Sequence, residues 1–271
     1  GFKPLEHEYK LMGMAPYCSE KGTALGYEPF RDLVRISPSN PLIFERSPEA
    51  KDKLMPLLQE RLKFQRFDNI CAGLQKFTED VLVQWVSNCV KHTGISKVAL
   101  AGGIFMNVKA NKKIMELPEV QDLFIFPSCG DETVAIGAAY QIYNKLRVRG
   151  SLPEIDPLHH FYLGHDFTDQ EVFEKIQKHQ KDFSFKYKKV KNIEKEIAKL
   201  LAHKKVVARC KGRMEFGARA LGNRSILADP SDLQCLLEIN LMVKKRDFWM
   251  PFAPVMLKER VEDYIINPKN I

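Results

Sequence analysis

The segment 211–225, KGRMEFGARALGNRS, holds three arginines (Arg213, Arg219, Arg224) and three glycines (Gly212, Gly217, Gly222). A guanidinium presents a planar fork of N–H donors that matches phosphate and carboxylate oxygens, and glycine lets the backbone come close to a ligand. A solvated loop has little use for both at such density. The segment reads as an anion site, with Asn223 and Ser225 as further donors beside the three arginines. A second basic cluster, Lys244-Lys245-Arg246, follows and leads to Phe252-Ala253-Pro254. There Lys244 and Arg246 join the same anion chemistry, and a basic helix end accounts for them equally well.

Two earlier segments have the composition of ligand loops. In Ala101-Gly102-Gly103-Ile104-Phe105-Met106-Asn107, two glycines follow an apolar run and precede a helical pattern. Such a turn can bring backbone N–H groups to an anion at a helix start. A tight strand-to-helix turn without any ligand fits the same residues. In Pro127-Ser128-Cys129-Gly130-Asp131-Glu132, Asp131 stands where a carboxylate can meet a metal or a magnesium–phosphate unit. On local sequence alone, a helix N-cap is the simpler reading of Asp131. Neither a dinucleotide fingerprint nor a Walker loop occurs.

These loops need elements to hold them. Ile70, Leu74, Phe77, Val81, Trp85 and Cys89 recur at helical spacing, which predicts a helix over 70–91 stopped by Gly94. Apolar runs at 97–101 and 123–126 predict strands, each followed by a loop and a helix (104–115 and 132–146). Strand–loop–helix repeated twice implies an α/β layered domain, with ligands at the carboxyl ends of the strands. Residues 1–50 read as loops around short strands. The stretch 147–160 holds Gly150, Pro153 and Pro157, and a linker is expected there, over 151–160. Helices at 169–180 and 192–203 and a strand at 205–209 then lead into the arginine segment.

The chain has 271 residues, 45% hydrophobic and 28% charged, with a net charge of +8. This composition excludes collagen-like and disordered classes and leaves room for one large or two modest domains. The positive balance favours anionic partners. No apolar run approaches the ~18–20 residues that cross a bilayer, so no membrane partner is expected. None of the six cysteines forms a C-x-x-C pair, and the seven histidines show no metal-binding spacing. Reduced thiols and a cytoplasmic setting are the expectation.

Taken in order, these motifs resemble a known family. Glu8 to Tyr17 (EYKLMGMAPY), Ala101 to Asn107, Cys129 to Ala139 (CGDETVAIGAA), Gly212 to Pro230 (GRMEFGARALGNRSILADP) and Lys244 to Pro254 match segments of the NodU/CmcH O-carbamoyltransferases. The chain resembles the middle portion of such a protein. The resemblance implies that 1–150 is the C-terminal part of a nucleotide- and metal-binding domain, similar to the TsaD fold of the acetate kinase, sugar kinase and actin superfamily. It implies that 161–271 is part of a YrdC-like α+β carbamoyltransferase domain.

The activity implied is ATP-dependent. Carbamoyl adenylate forms from carbamoyl phosphate and ATP, and the carbamoyl group passes to a hydroxyl of a small-molecule acceptor. The resemblance assigns Lys10, Gly102, Gly103, Asn107 and Gly130 to nucleotide, Asp131 to a divalent metal (iron, or magnesium), and the arginine segment with Lys244 and Arg246 to catalysis. It is compatible with a homodimer. Metal-ligating histidines of the family are expected before Gly1. Ala218 stands where the family usually has proline, and Thr133 where it often has glycine. A threonylcarbamoyl-transfer or hydrogenase-maturation relative is the alternative, as is an inactive fragment. A nucleic-acid-binding module fits less well, since aromatic-rich basic motifs are lacking.

Overall fold

The structure, a computed structural model, describes residues 2–3, 6–150, 152–266 and 268–269. The chain forms two compact units. One comprises 1–135, 249–251 and 256–271; the other comprises 136–248 and 252–255.

The first unit is organised on one long helix. Short helices α1 (Glu8–Met14) and α2 (Glu20–Tyr27) come first. An antiparallel pair, β1 (Val34–Ile36) and β2 (Phe44–Arg46), and a helix α3 (Pro48–Arg61) follow. Residues 1–50 are thus more helical than their composition predicts. Their turns are short, so apolar periodicity never runs long enough to show. In α3, Pro56 lies inside the helix and Lys53 leaves helical geometry one turn earlier, as a proline ring demands.

Helix α4 (Phe67–Thr93) covers the predicted 70–91 span and ends at Gly94, whose φ of 70° gives the left-handed cap that glycine favours. Its buried line does not follow the apolar positions that announced it. The buried residues include Cys71, Gln75, Glu79, Leu82, Val86 and Val90. The C-terminal half packs with Leu100, Phe105, Ala110, Ile114, Val120 and Cys129 into one core. The N-terminal half, through Ile70, Leu74 and Phe77, closes a second core around Phe30, Leu33 and Ala50.

Strands β3 (Lys97–Leu100) and β4 (Asp122–Ile125) pair in parallel, from Lys97 opposite Asp122 to Leu100 opposite Ile125. Both predicted strand–loop–helix units are present. The helices begin later than expected, because a 3-10 turn precedes each: Gly103–Met106 before α5 (Val108–Met115), and Asp131–Thr133 before α6 (Val134–Val148).

In the second unit, α7 (Asp169–His179) starts with a capping box between Thr168 and Glu171. Asn192 caps α8 (Ile193–Ala202). Strands β5 (Val207–Cys210) and β6 (Arg224–Leu227) pair antiparallel, and α9 (Leu233–Glu238) runs into a π-helical turn, Ile239–Val243. The mixed helix-and-strand class agrees with expectation.

Helices α2 and α4 cross with their backbones in contact. A Cβ added at Gly26 would overlap the Asn69 carbonyl, and one at Gly73 would overlap the Gly26 carbonyl. Backbone cannot rotate aside as a side chain can. Gly26→Ala or Gly73→Ala should therefore lower stability by about 3 kcal/mol or more, read as a large fall in thermal midpoint. Gly137→Ala, whose added Cβ meets nothing within 4 Å, serves as the control that stays near wild type.

Candidate functional site

The glycine loop of the first unit is fixed from two sides. Gly102 N–H donates to the Cys129 carbonyl at 2.8 Å, and the Cys129 thiol lies 3.4 Å from the Gly102 carbonyl. The loops that follow β3 and β4 are thereby joined. Gly102 has φ 110°, which a side chain would strain, and nothing lies within 4 Å of a Cβ built at Gly102 or Gly103. Both glycines are exposed and face open space.

Asn107 closes this loop. Its Oδ1 accepts from Ala110 N–H (3.1 Å) as the α5 cap and from Gln75 Nε2 (3.0 Å), while its Nδ2 donates to Gln75 Oε1 (2.9 Å). Gln75 also donates to Glu79 (2.8 Å). Of the buried polar side chains of α4, Gln75, backed by Glu79, holds Asn107. Lys10 lies on α1 with its ammonium 5.8 Å from the Phe2 ring centroid.

Asp131 is exposed and sits one residue inside its 3-10 turn; Gly130 is the cap. The carboxylate that folds back here is Glu132. Ser128 Oγ donates to it, and its acidity is raised by that bond, by its own N–H and by the Gly130 N–H. Among the described residues no group of three His, Cys, Asp or Glu side chains gathers to hold a metal.

The arginine segment is the connection between β5 and β6, and Arg224 and Ser225 belong to β6 itself. Glu215 organises it, a residue that sequence reasoning passed over. Its Oε1 accepts from the N–H groups of Leu221 (3.1 Å), Asn223 (2.7 Å) and Arg224 (2.8 Å), and its Oε2 lies 3.1 Å from the last. Gly222, at φ 106°, lets the chain turn so that these donors converge. The signal available was a lone acid among so many cations.

The cations have different surroundings. Arg213 clamps backbone: Nε donates to the Gly164 carbonyl (3.0 Å) and Nη2 to Leu163 (3.1 Å). Asn223 Nδ2 donates to the Arg213 carbonyl at 2.8 Å. Ser225 is buried and its Oγ accepts from Gly222 N–H at 2.9 Å. Arg219 is exposed, with one long contact to the Ala218 carbonyl. The Arg224 guanidinium lies over the Phe167 ring at 5.8 Å, and its Nη1 is buried without a hydrogen-bond acceptor among the described residues.

In the second cluster, Arg246 donates to the wholly buried Asn240 (2.7 Å) and stacks 4.7 Å from the Phe252 ring centroid. Lys244 is exposed just after the π-helical turn. The second unit thus presents guanidinium groups rigidly, and one of them carries a buried donor that an anion could satisfy.

Comparison with known proteins fits this arrangement. A family model described as "Carbamoyltransferase N-terminus" matches residues 1–140, and one described as "Carbamoyltransferase C-terminus" matches 198–270. The chain belongs to the carbamoyltransferase family. A relative from Methanocaldococcus jannaschii, titled only as uncharacterized, is 35% identical over 265 residues, 97% of this chain and 43% of its own. The nodulation protein NolNO of Sinorhizobium fredii is 32% identical over 272 residues, 96% of this chain and 38% of its own. The nodulation protein NolO of Bradyrhizobium diazoefficiens is 30% identical, over 96% of this chain and 47% of its own. The chain spans about half the length, or less, of these curated relatives. Within this carbamoyltransferase sequence, the departures at Thr133 and Ala218 both fall on exposed or half-buried turn positions. Thr133 Oγ1 donates to the Gly130 carbonyl at 2.9 Å, so its hydroxyl stabilises the turn it occupies.

The Glu215 carboxyl is disfavoured by burial, but the N–H groups of Arg224, Asn223 and Leu221 outweigh this and lower its pKa to about 2. An unfolded glutamate titrates near 4.3. Its contribution to stability is therefore complete above that value and is lost as pH falls towards about 2. After discounting for solvent, it should be on the order of 2 kcal/mol. Glu215→Gln should flatten the fall in denaturant midpoint between about pH 4.5 and 2.5 relative to wild type; parallel curves would remove Glu215 from the acid transition.

Proposed function

We propose that the full-length protein is an ATP-dependent O-carbamoyltransferase, and that the arginine segment holds the phosphate groups of carbamoyl phosphate and ATP. The carrying observation is Arg224, whose buried Nη1 meets no acceptor among the described residues. A buried charged donor left without a partner costs a few kcal/mol, and a phosphate oxygen would remove that cost. Family membership supplies the carbamoyl group.

The steps balance. Water attacks the phosphorus of carbamoyl phosphate, the phosphorus–oxygen bond to the carbamoyl group breaks, and inorganic phosphate and carbamate result. A carbamate oxygen attacks the α-phosphorus of ATP, the bond to the bridging oxygen breaks, and pyrophosphate leaves. The acceptor hydroxyl then attacks the carbamoyl carbon of the adenylate, loses its proton, and AMP departs. Such transfers depend on neutralised phosphate oxygens more than on a strong base. Arg224 and Arg219 supply positive charge, with Lys244 and Arg246 as further cations. Arg213, Asn223 and Ser225 hold the loop in shape.

The resemblance assigns the adenylate-forming step to a YrdC-like second domain and acceptor chemistry to a TsaD-like first domain. There the open backbone at Gly102 and Gly103 receives nucleotide, and the resemblance adds Lys10, Asn107 and Gly130 to that site. A divalent metal, iron or magnesium, would take Asp131 as one ligand. The described residues supply no complete donor set, so no step is derived through it. The acceptor is a hydroxylated small molecule, and a homodimer is the proposed assembly.

Two measurements follow. Arg224→Ala should weaken carbamoyl phosphate binding roughly tenfold to a hundredfold, and Arg224→Lys should recover only part of it, because an ammonium lacks the bidentate fork. The assay is carbamoyl-phosphate-dependent AMP formation by the full-length protein; wild-type kinetics in both variants return Arg224 to a structural role. Gly103→Val should leave stability within about 1 kcal/mol, because the added side chain enters open space. It should nevertheless abolish calorimetric ATP binding if that space is the nucleotide's.

A further inference from the structure

Four successive backbone N–H groups converge where Gly222 turns the arginine loop, and all four are taken inside the loop. Leu221, Asn223 and Arg224 donate to the Glu215 carboxylate at 3.1, 2.7 and 2.8 Å. Gly222 donates to Ser225 Oγ at 2.9 Å, and that hydroxyl lies 3.4 Å from Glu215 Oε1. Successive N–H groups in a tight turn form a concavity that ordinarily binds an external anion. Here the anion is internal. No backbone donor of this turn is left for a phosphate.

The side chains tell the complementary story. Arg213 spends Nε and Nη2 on carbonyls. Arg224 keeps a buried Nη1 without an acceptor among the described residues, and Arg219 is exposed. Both flank the turn that Glu215 fixes.

We propose that Glu215 is a positioning residue for the anion site: it fills the backbone cradle of 221–224, fixes Arg219 and Arg224 around it, and leaves the bound phosphate to their guanidinium groups. The proposal rests on the anion-binding reading of the loop given above. Its low pKa keeps the internal anion in place across the whole working pH range. Loss of the carboxylate would free the turn, turn the arginines away from a common target and open a competing cradle.

The experiment compares Glu215→Ala and Glu215→Gln with wild type in the full-length protein. Inorganic phosphate is titrated by calorimetry, and carbamoyl-phosphate-dependent AMP formation is measured alongside. Glu215→Ala should weaken phosphate binding about tenfold or more and raise KM for carbamoyl phosphate more than it lowers kcat. Added formate should restore much of the phosphate affinity in Glu215→Ala and none in Arg224→Ala, an effect that mere destabilisation would not produce. Glu215→Gln keeps one acceptor oxygen and should fall between. If Glu215→Ala does not fold, the Gln variant decides.

Unchanged phosphate affinity in a folded variant would overturn the proposal. Tighter phosphate binding would overturn it too, because the cradle would then be the phosphate's own seat. A wild-type protein that binds no phosphate sinks it as well. Failure of AMP formation with intact, Glu215-dependent phosphate binding would instead remove the carbamoyl-transfer reading and leave this one standing.

Discussion

Glu215 holds the arginine loop by meeting three backbone N–H groups with one carboxylate. Short loops rich in arginine repel themselves, and glycine removes the steric reasons to keep any one shape. A fixed negative charge at the centre answers both problems. It draws the turn at Gly222 inward and lowers the positive potential at the backbone, where no ligand is needed. Lys211, at the start of the loop, is similarly met by Glu194 of α8 at 2.6 Å. Lys204 is met by Asp229 after β6 at 2.5 Å. The loop's two flanks are thus neutralised, and positive charge remains at its arginines.

The first unit obeys a steric constraint instead. Gly26 and Gly73 let α2 and α4 touch backbone to backbone, which sets where α4 runs. From α4, Gln75 reaches Asn107 and is itself held by Glu79, and Asn107 fixes the start of α5 and the end of the glycine loop. Buried amides and carboxylates cost free energy unless every group is satisfied. Here the chain of partners is continuous from helix to loop, so a polar seam inside the helix carries position information that an apolar one could not.

That seam explains what the sequence did and did not disclose. The existence and extent of α4 were legible, because Ile70, Leu74, Phe77 and their successors repeat at helical spacing. Its buried face was not, because Gln75 and Glu79 occupy core positions and disguise them as surface. The parallel pair β3–β4 and the loops after both strands were legible as apolar runs followed by glycine or aspartate. The helices of residues 1–50 were not, since seven- and eight-residue helices give too few turns for a period to emerge. In the arginine segment the density of cations was legible in the sequence. The acid that organises them did not stand out, because a single glutamate has no pattern.

Composition also concealed a division of labour among the arginines. By sequence, Arg213, Arg219 and Arg224 are equivalent members of one motif. In the fold, Arg213 is a backbone clamp on 163–164, Arg224 lies over the Phe167 ring at 5.8 Å with a buried donor unmet among the described residues, and Arg219 is exposed. The ring shields the Arg224 guanidinium in part from water, and a cation so desolvated is attracted more strongly to an opposing charge. Arginine density in this segment therefore reflects how much order the loop requires as well as how much charge it presents. Arg213 spends Nε and Nη2 on the backbone of 163–164, whereas Arg224 keeps one donor unmet among the described residues.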